Sequence, residues 1–168
     1  NGLEGPVDFH AMAVSPVNPD LVFGWYRGNV QRSEDGGRNW VKFPTSVPFV
    51  ALASDTKDES IVYAASPQGL FKSLDKGQTW ESLVDGFVAA VAIHPNDSQT
   101  LLISSEKLGI AKSNDGGKNW QKINVNFNGS MTSGSATISA SSVSLVPNQT
   151  LTVPVTVSFP ANQAGTLD

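Results

Sequence analysis

One eight-residue outline, Ser-x-Asp-x-Gly-x-x-Trp, is written three times in this chain. It occurs as SEDGGRNW at residues 33–40, SLDKGQTW at 73–80 and SNDGGKNW at 113–120, each copy 40 residues after the last. A fixed period of this length marks a supersecondary unit stacked against copies of itself, because one unit cannot bury its apolar face alone. Each octet sits late in a longer unit. The first unit reads FHAMAVSP, LVFGWYRG, NVQRSEDGGRNW and VKFP, and the third reads AAVAIHP, TLLISSE, GIAKSNDGGKNW and QKI. The register slips once: Ala13 and Ala53 keep the period, but the matching Ala92 arrives one residue early, so the loop after Ile93 is expected to carry the extra residue that restores it.

The segments of each unit are short, rich in Val, Ile, Leu, Phe and Tyr, and bounded by Pro, Asn, Asp and Gly. None sustains an apolar 3.6-residue period. Four antiparallel strands in about 40 residues make a propeller blade. The fold class is therefore all-β, with three four-stranded blades of an incomplete β-propeller. Composition agrees: 15% charged residues, 15 Gly and 10 Pro suit a turn-rich β protein.

Within the octet, the Asp (Asp35, Asp75, Asp115) can accept hydrogen bonds from backbone N–H groups of its own turn. The Gly (Gly37, Gly77, Gly117) can take positive φ. The Ser (Ser33, Ser73, Ser113) offers its hydroxyl to the same turn. The Trp (Trp40, Trp80, Trp120) is expected to open the fourth strand and to be mostly buried, equivalently in all three units.

These octets resemble the Asp-box, or BNR repeat, of sialidases, xyloglucanases, sortilin-type receptors and photosystem-assembly propellers. The whole unit, as in AVAIHPNDSQTLLISSEKLGIAKSNDGGKNW, looks most like the xyloglucanase and photosystem-assembly type, and the resemblance covers about residues 7–123. It implies a propeller in which the box is a structural turn at the outer rim.

From residue 124 onward Trp, Lys and Arg vanish, and the chain becomes Ser-, Thr- and Val-rich. This tail resembles part of the fibronectin type III-like domain that follows the catalytic region of secreted subtilases. Residues 1–123 are read as the propeller portion and 124–168 as a partial β-sandwich or a linker. NVNFNGSMTSGS has linker composition, so protease is expected to cut near 128–134 first. Propellers close with about four to eight blades. Three blades therefore need further blades to close, from a longer polypeptide or from a second chain, unless the sequence joins parts that are not adjacent in nature.

Sialidases use an arginine triad with Tyr, Glu and Asp. Here Arg27, Arg32 and Arg38 are the only arginines, Arg32 sits at a repeat position shared with Lys72 and Lys112, and Tyr26 and Tyr63 lie in apolar strands. Xyloglucanase-type chemistry places carboxylates on loops facing the central channel, and a glycosidase needs a facing pair. The candidates are Glu106, in the turn after a second strand, with Asp8 and Asp85 between blades. Trp25, the tryptophan outside the octets, is the candidate sugar-stacking residue. His10 and His94 have no acidic cluster beside them, so neither a metal site nor a cofactor is expected.

Net charge is −4 with no Lys/Arg cluster, which argues against nucleic acid. No apolar run approaches the roughly 20 residues that span a bilayer. The chain lacks cysteine, which excludes disulfides and thiolate sites. No signal peptide opens it, so a secreted protein would appear here in mature form. The sequons at Asn96, Asn128 and Asn148 matter only in a eukaryotic secretory host. The expected function is non-catalytic binding or scaffolding outside the cytoplasm, extracellular or at the cell surface, with a protein or glycan ligand. The alternative is a fragment of a secreted glycoside hydrolase whose catalytic carboxylates lie partly elsewhere.

Overall fold

A computed structural model describes residues 7–123 and the strands Ser135–Thr137 and Thr156–Ser158. By its contacts the chain divides into two compact units, Asn1–Ile123 and Asn124–Asp168.

The first unit is three antiparallel four-stranded meanders. Blade one is β1 (Ala11–Val14), β2 (Val22–Tyr26), β3 (Asn29–Ser33) and β4 (Val41–Pro44). Blade two is β5 (Ala51–Ser54), β6 (Val62–Ser66), β7 (Gly69–Ser73) and β8 (Glu81–Asp85). Blade three is β9 (Val88–His94), β10 (Asp97–Ser105), β11 (Gly109–Ser113) and β12 (Gln121–Lys122). The fold is that of β-propeller blades, and the first strands β1, β5 and β9 lie side by side. In the second unit, β13 (Ser135–Thr137) pairs antiparallel with β14 (Thr156–Ser158). The expected linker, most of the expected sandwich, Asn128 and Asn148 lie outside the described residues.

The core consists of two layers between blades. Side chains alternate across each strand, so every blade has two faces. One face of blade one (Ala11, Phe23, Val30) packs on the facing side of blade two (Leu52, Val62, Ala64), with Phe49 between. The other face of blade two (Ala65, Leu70) packs on blade three (Val88, Ile103, Ala111). The central strand β6 is therefore buried along its whole length, while β10 of blade three alternates between buried and exposed.

The register corrects two expectations. Val14 pairs with Val22, Ser54 with Val62 and Ile93 with Leu101, the same separation each time. The loop after Ile93 is thus not longer than its counterparts. Tyr26 pairs with Asn29 and Ser66 with Gly69 across two residues, whereas Ser105 pairs with Gly109 across Glu106, Lys107 and Leu108. The extra residue sits in the β10–β11 turn. Matching only Ala92 and the octet leaves its position free between them, and strand pairing alone fixes it. Strands β4, β8 and β12 also start one residue later than expected, so Trp40, Trp80 and Trp120 belong to the turn rather than to the fourth strand.

Candidate functional site

The three octets fold identically. Ser33 Oγ donates to Asp35 Oδ1 at 2.8 Å and accepts from Gly37 N at 2.8 Å. Ser73 and Ser113 do the same with their own Asp and Gly. All three Ser are at most 1% exposed. Asp35 Oδ1 accepts from the N–H of Arg38 and Asn39 at 3.0 and 2.8 Å, and its Oδ2 from Asn39 Nδ2 at 2.6 Å. In blade two, Thr79 Oγ1 replaces the amide, at 2.6 Å from Asp75 Oδ2.

These donors favour the ionised carboxylate. The Asn39 backbone N–H, with its side-chain amide and the Ser33 hydroxyl, holds Asp35 down at about 2. The Asn119 amide and backbone N–H hold Asp115 at about 2. Burial pushes Asp75 upward, but the Thr79 hydroxyl and N–H outweigh it and leave a net lowering.

The fifth-position glycines have φ of 89°, 81° and 93°, as expected. The fourth position also has positive φ, at 68° for Gly36, 57° for Lys76 and 68° for Gly116, which the outline does not signal because Lys stands there once. The N–H of that residue donates at 2.9 Å to the carbonyl of Asp20, Ser60 or Gln99, tying the octet to the connection between the first two strands of its blade or, in blade three, to the start of β10. That loop is capped in turn by Ser15, Asp55 and His94, three residue types at one repeat position, each accepting from N–H groups just downstream. Their chemical difference hid the equivalence from sequence reading.

The octet tryptophans are equivalent in all three blades and mostly buried, each keeping a minor part of its surface in solvent. The indole N–H donates to the fifth-position Gly carbonyl at 2.8, 3.2 and 3.0 Å, so the ring lies over its own turn with an edge in solvent. Trp25 is buried to a similar degree, so exposure does not separate it from them. Its distinction is a buried indole Nε1 without a hydrogen-bond partner. Trp25 packs against the core between blades one and two.

The remaining candidates lie away from the octets. Asp8 faces His10 Nε2 at 3.1 Å, both side chains more than 80% exposed. Asp85 ends β8 and accepts from Ser82 Oγ at 3.1 Å. Glu106, in the exposed β10–β11 turn, donates its backbone N–H to Phe87 O at 2.9 Å. Gly86 N reaches Gln68 O at 3.1 Å, and Lys107 Cε lies 2.9 Å from where a Gly86 Cβ would stand. The structure thus brings Asp85 and Glu106 to one boundary, between blades two and three, at the end of the blades opposite the octets. Trp25, Tyr26 and Arg27 lie at the same end of blade one, with the Arg27 guanidinium 5.1 Å above the Tyr26 ring. Aromatic faces, cations and exposed carboxylates at one end can engage a polar ligand through stacking and hydrogen bonds.

Two concavities lie elsewhere, beside the octets, at about 260 Å³ near Trp40 and about 280 Å³ near Trp80. The first is lined by turn residues such as Asp35 and Asn39, and the second by Thr45, Val47, Phe49 and Phe71 as well as Gln78 and Thr79. Among the described residues no three His, Cys, Asp or Glu side chains gather as a metal site requires, and no helix is long and apolar enough to cross a membrane.

The fold has close company among solved structures. A GH74 enzyme from Niastella koreensis matches 69% of this chain and 22% of its own length at 23% identity, with a TM-score of 0.61. The GH74 xyloglucanase from Xanthomonas campestris matches 75% of this chain and 25% of its own at 20% identity, TM-score 0.61. YCF48 bound to D1 peptide matches 68% of this chain and 40% of its own at 16% identity, TM-score 0.53. The chain therefore spans about a quarter or less of the GH74 enzymes. At these identities the likeness is one of β-propeller fold. No family model and no curated protein sequence matches the chain.

Proposed function

We propose that this chain is a non-catalytic binding or scaffolding module, acting outside the cytoplasm and built from Asp-box blades. The observation that carries this reading is the separate engagement of the candidate carboxylates other than Glu106, which stands exposed in the β10–β11 turn. The box Asp residues are enclosed by donors of their own turns, Asp8 is paired with His10, and Asp85 accepts from Ser82. Asp35, Asp75 and Asp115 are held below the ordinary carboxylate range by those donors, which suits a structural anion rather than a proton donor. The end bearing Trp25, Tyr26 and Arg27 is the proposed contact surface for a protein or glycan. A propeller neighbour bound to a peptide is consistent with a protein partner. The Ser/Thr/Val-rich segment at 124–168, fibronectin type III-like in this reading, serves as a spacer.

A second reading is favoured by one observation, the meeting of Asp85 and Glu106 at a single blade boundary. It makes the chain part of a carbohydrate-active hydrolase like its GH74 neighbours, with further catalytic groups outside it. Incubation of the chain with xyloglucan, β-glucan and sialyl-oligosaccharides separates the two. No release of reducing sugar is expected from the binding module. Turnover that disappears in Glu106→Gln or Asp85→Asn would establish the hydrolase instead.

A further inference from the structure

We infer that the groove beside Trp80, where blade one meets blade two, is a binding site for one ring of a neutral sugar, separate from the contact surface proposed at the opposite end. Both walls of this groove come from blades one and two. The boundary between blades two and three shows that blade packing does not require it.

The groove holds about 280 Å³. Small-molecule sites run from about 300 to 1,000 Å³, so this one admits a single ring rather than a partner's folded surface. One side is aromatic. The rings of Phe49 and Trp80 stand 4.6 Å apart, and those of Phe49 and Phe71 5.9 Å apart. Phe49 is buried, while Phe71 and Trp80 each keep part of their surface in solvent. The Trp80 indole N–H is spent on Gly77 O at 3.2 Å, which fixes the ring. The other side is polar. Thr45 Oγ1 accepts from Val47 N and donates to Val47 O, both at 3.2 Å, and so holds the connection from blade one in shape. Gln78 Nε2 donates to Asp75 O at 3.0 Å, and Thr79 Oγ1 to Asp75 Oδ2 at 2.6 Å. Those bonds orient both side chains, and the amide Oε1, its second N–H and the threonine lone pairs remain to meet a ligand. Ser46 stands exposed beside them.

A pyranose carries C–H groups on its faces and hydroxyls around its edge. The C–H face suits the negative face of an aromatic ring, and hydroxyls, which both donate and accept, suit an amide and other hydroxyls. No ionisable side chain lines the groove, so a charged ligand would lose water with nothing to pair against. The concavity beside Trp40, by contrast, is lined by Arg32, Glu34 and Asp35. At the boundary between blades two and three, Ala111 stands at the position of Phe71 and Val88 at that of Phe49. Residues 45–48 connect Pro44 to Phe49, but only Gly86 and Phe87 connect Asp85 to Val88. There β8 bulges, and a Cβ on Gly117 would stand 2.7 Å from Leu83, against 3.2 Å between Gly77 and Val30 at the first boundary. Blades two and three thus pack without either phenylalanine or the longer connection. These features are surplus to the repeat, and together they make the groove.

Isothermal titration of the whole chain with neutral gluco-, manno-, galacto- and xylo-trisaccharides is the test, with tryptophan fluorescence recorded alongside. At least one should bind in the millimolar range or tighter and perturb the fluorescence. Trisaccharides bearing glucuronate or sialate should bind on the order of tenfold more weakly or worse. Ser46→Arg places a long charged side chain at the mouth and should weaken the neutral sugar by about tenfold or more. Ser46 is exposed, so circular dichroism should stay unchanged. If it does not, Gln78→Lys takes its place, because blade three carries Lys118 at that octet position. Loss of the amide acceptor should then weaken binding by about tenfold. Binding by none of the neutral sugars overturns the inference, as does equal or tighter binding of the charged ones. Neutral-sugar binding that survives these variants also overturns it, and leaves the reading of the opposite end standing. A proline-rich peptide that binds in place of every sugar, and is lost in Ser46→Arg, overturns it in favour of a protein partner.

Discussion

Ser and Asp in each octet act as one hydrogen-bonded unit, and their value lies in what would otherwise go unpaired. Asp75 Oδ1 accepts from the N–H of Gln78 and Thr79 at 3.0 and 2.8 Å. Replacing it with Ala removes the shared acceptor of several donors at once, and water at the exposed Gln78 and Thr79 makes good only part of the loss. Asp75→Ala is expected to lower stability by about 1–3 kcal/mol, read as a fall in the urea midpoint, with ligand binding intact at permissive temperature. Unchanged stability with lost binding would make the box a site rather than a turn. The same carboxylates set the acid limit. Asp35 and Asp115 lie near 2 when folded, against an ordinary 3.8. A lowered folded pKa contributes stability that is fully present above the ordinary value and is lost as pH falls through the folded one. Stability should therefore decline between about pH 4 and pH 2, and urea midpoints across that window measure it. Asn in place of either residue should flatten the decline.

At the scale of the element, the fifth octet glycine has two duties. Positive φ is required in all three turns, but close approach to a neighbouring blade occurs only at Gly77 and Gly117. Gly37→Ala should therefore incur the conformational penalty alone. Gly117→Ala adds overpacking against Leu83, which costs typically 1–3 kcal/mol more. Thermal melts of the two variants check this, and equal losses would mean that the blade contact yields without strain. The outline in the sequence shows the first duty and hides the second, since a Gly selected for φ and a Gly selected for space look the same.

For the whole molecule, the two interblade layers are the core of residues 7–123. Residues 1–123 expressed alone are expected to melt cooperatively at the midpoint of the full chain. A clear drop in that midpoint would show that the segment 124–168 supports the blades, and the two would then form one domain.

The sequence by itself determined the blade. Period, alternating apolar strands and the octet chemistry are local, and each is written in residues close together along the chain. The side-chain hydrogen bonds within each octet span at most four positions, so Ser33, Asp35 and Asn39 already contain their partners. Only the tertiary structure decided which face of each blade is buried, because that depends on a neighbour 40 residues away. Tyr63 and Leu102 occupy one repeat position, yet the first is fully buried under blade three and the second stands in solvent. The same distance in sequence explains the candidate site: Asp85 and Glu106 read as unrelated loop acids until the β10–β11 turn, one residue longer than its counterparts, folds against the end of β8.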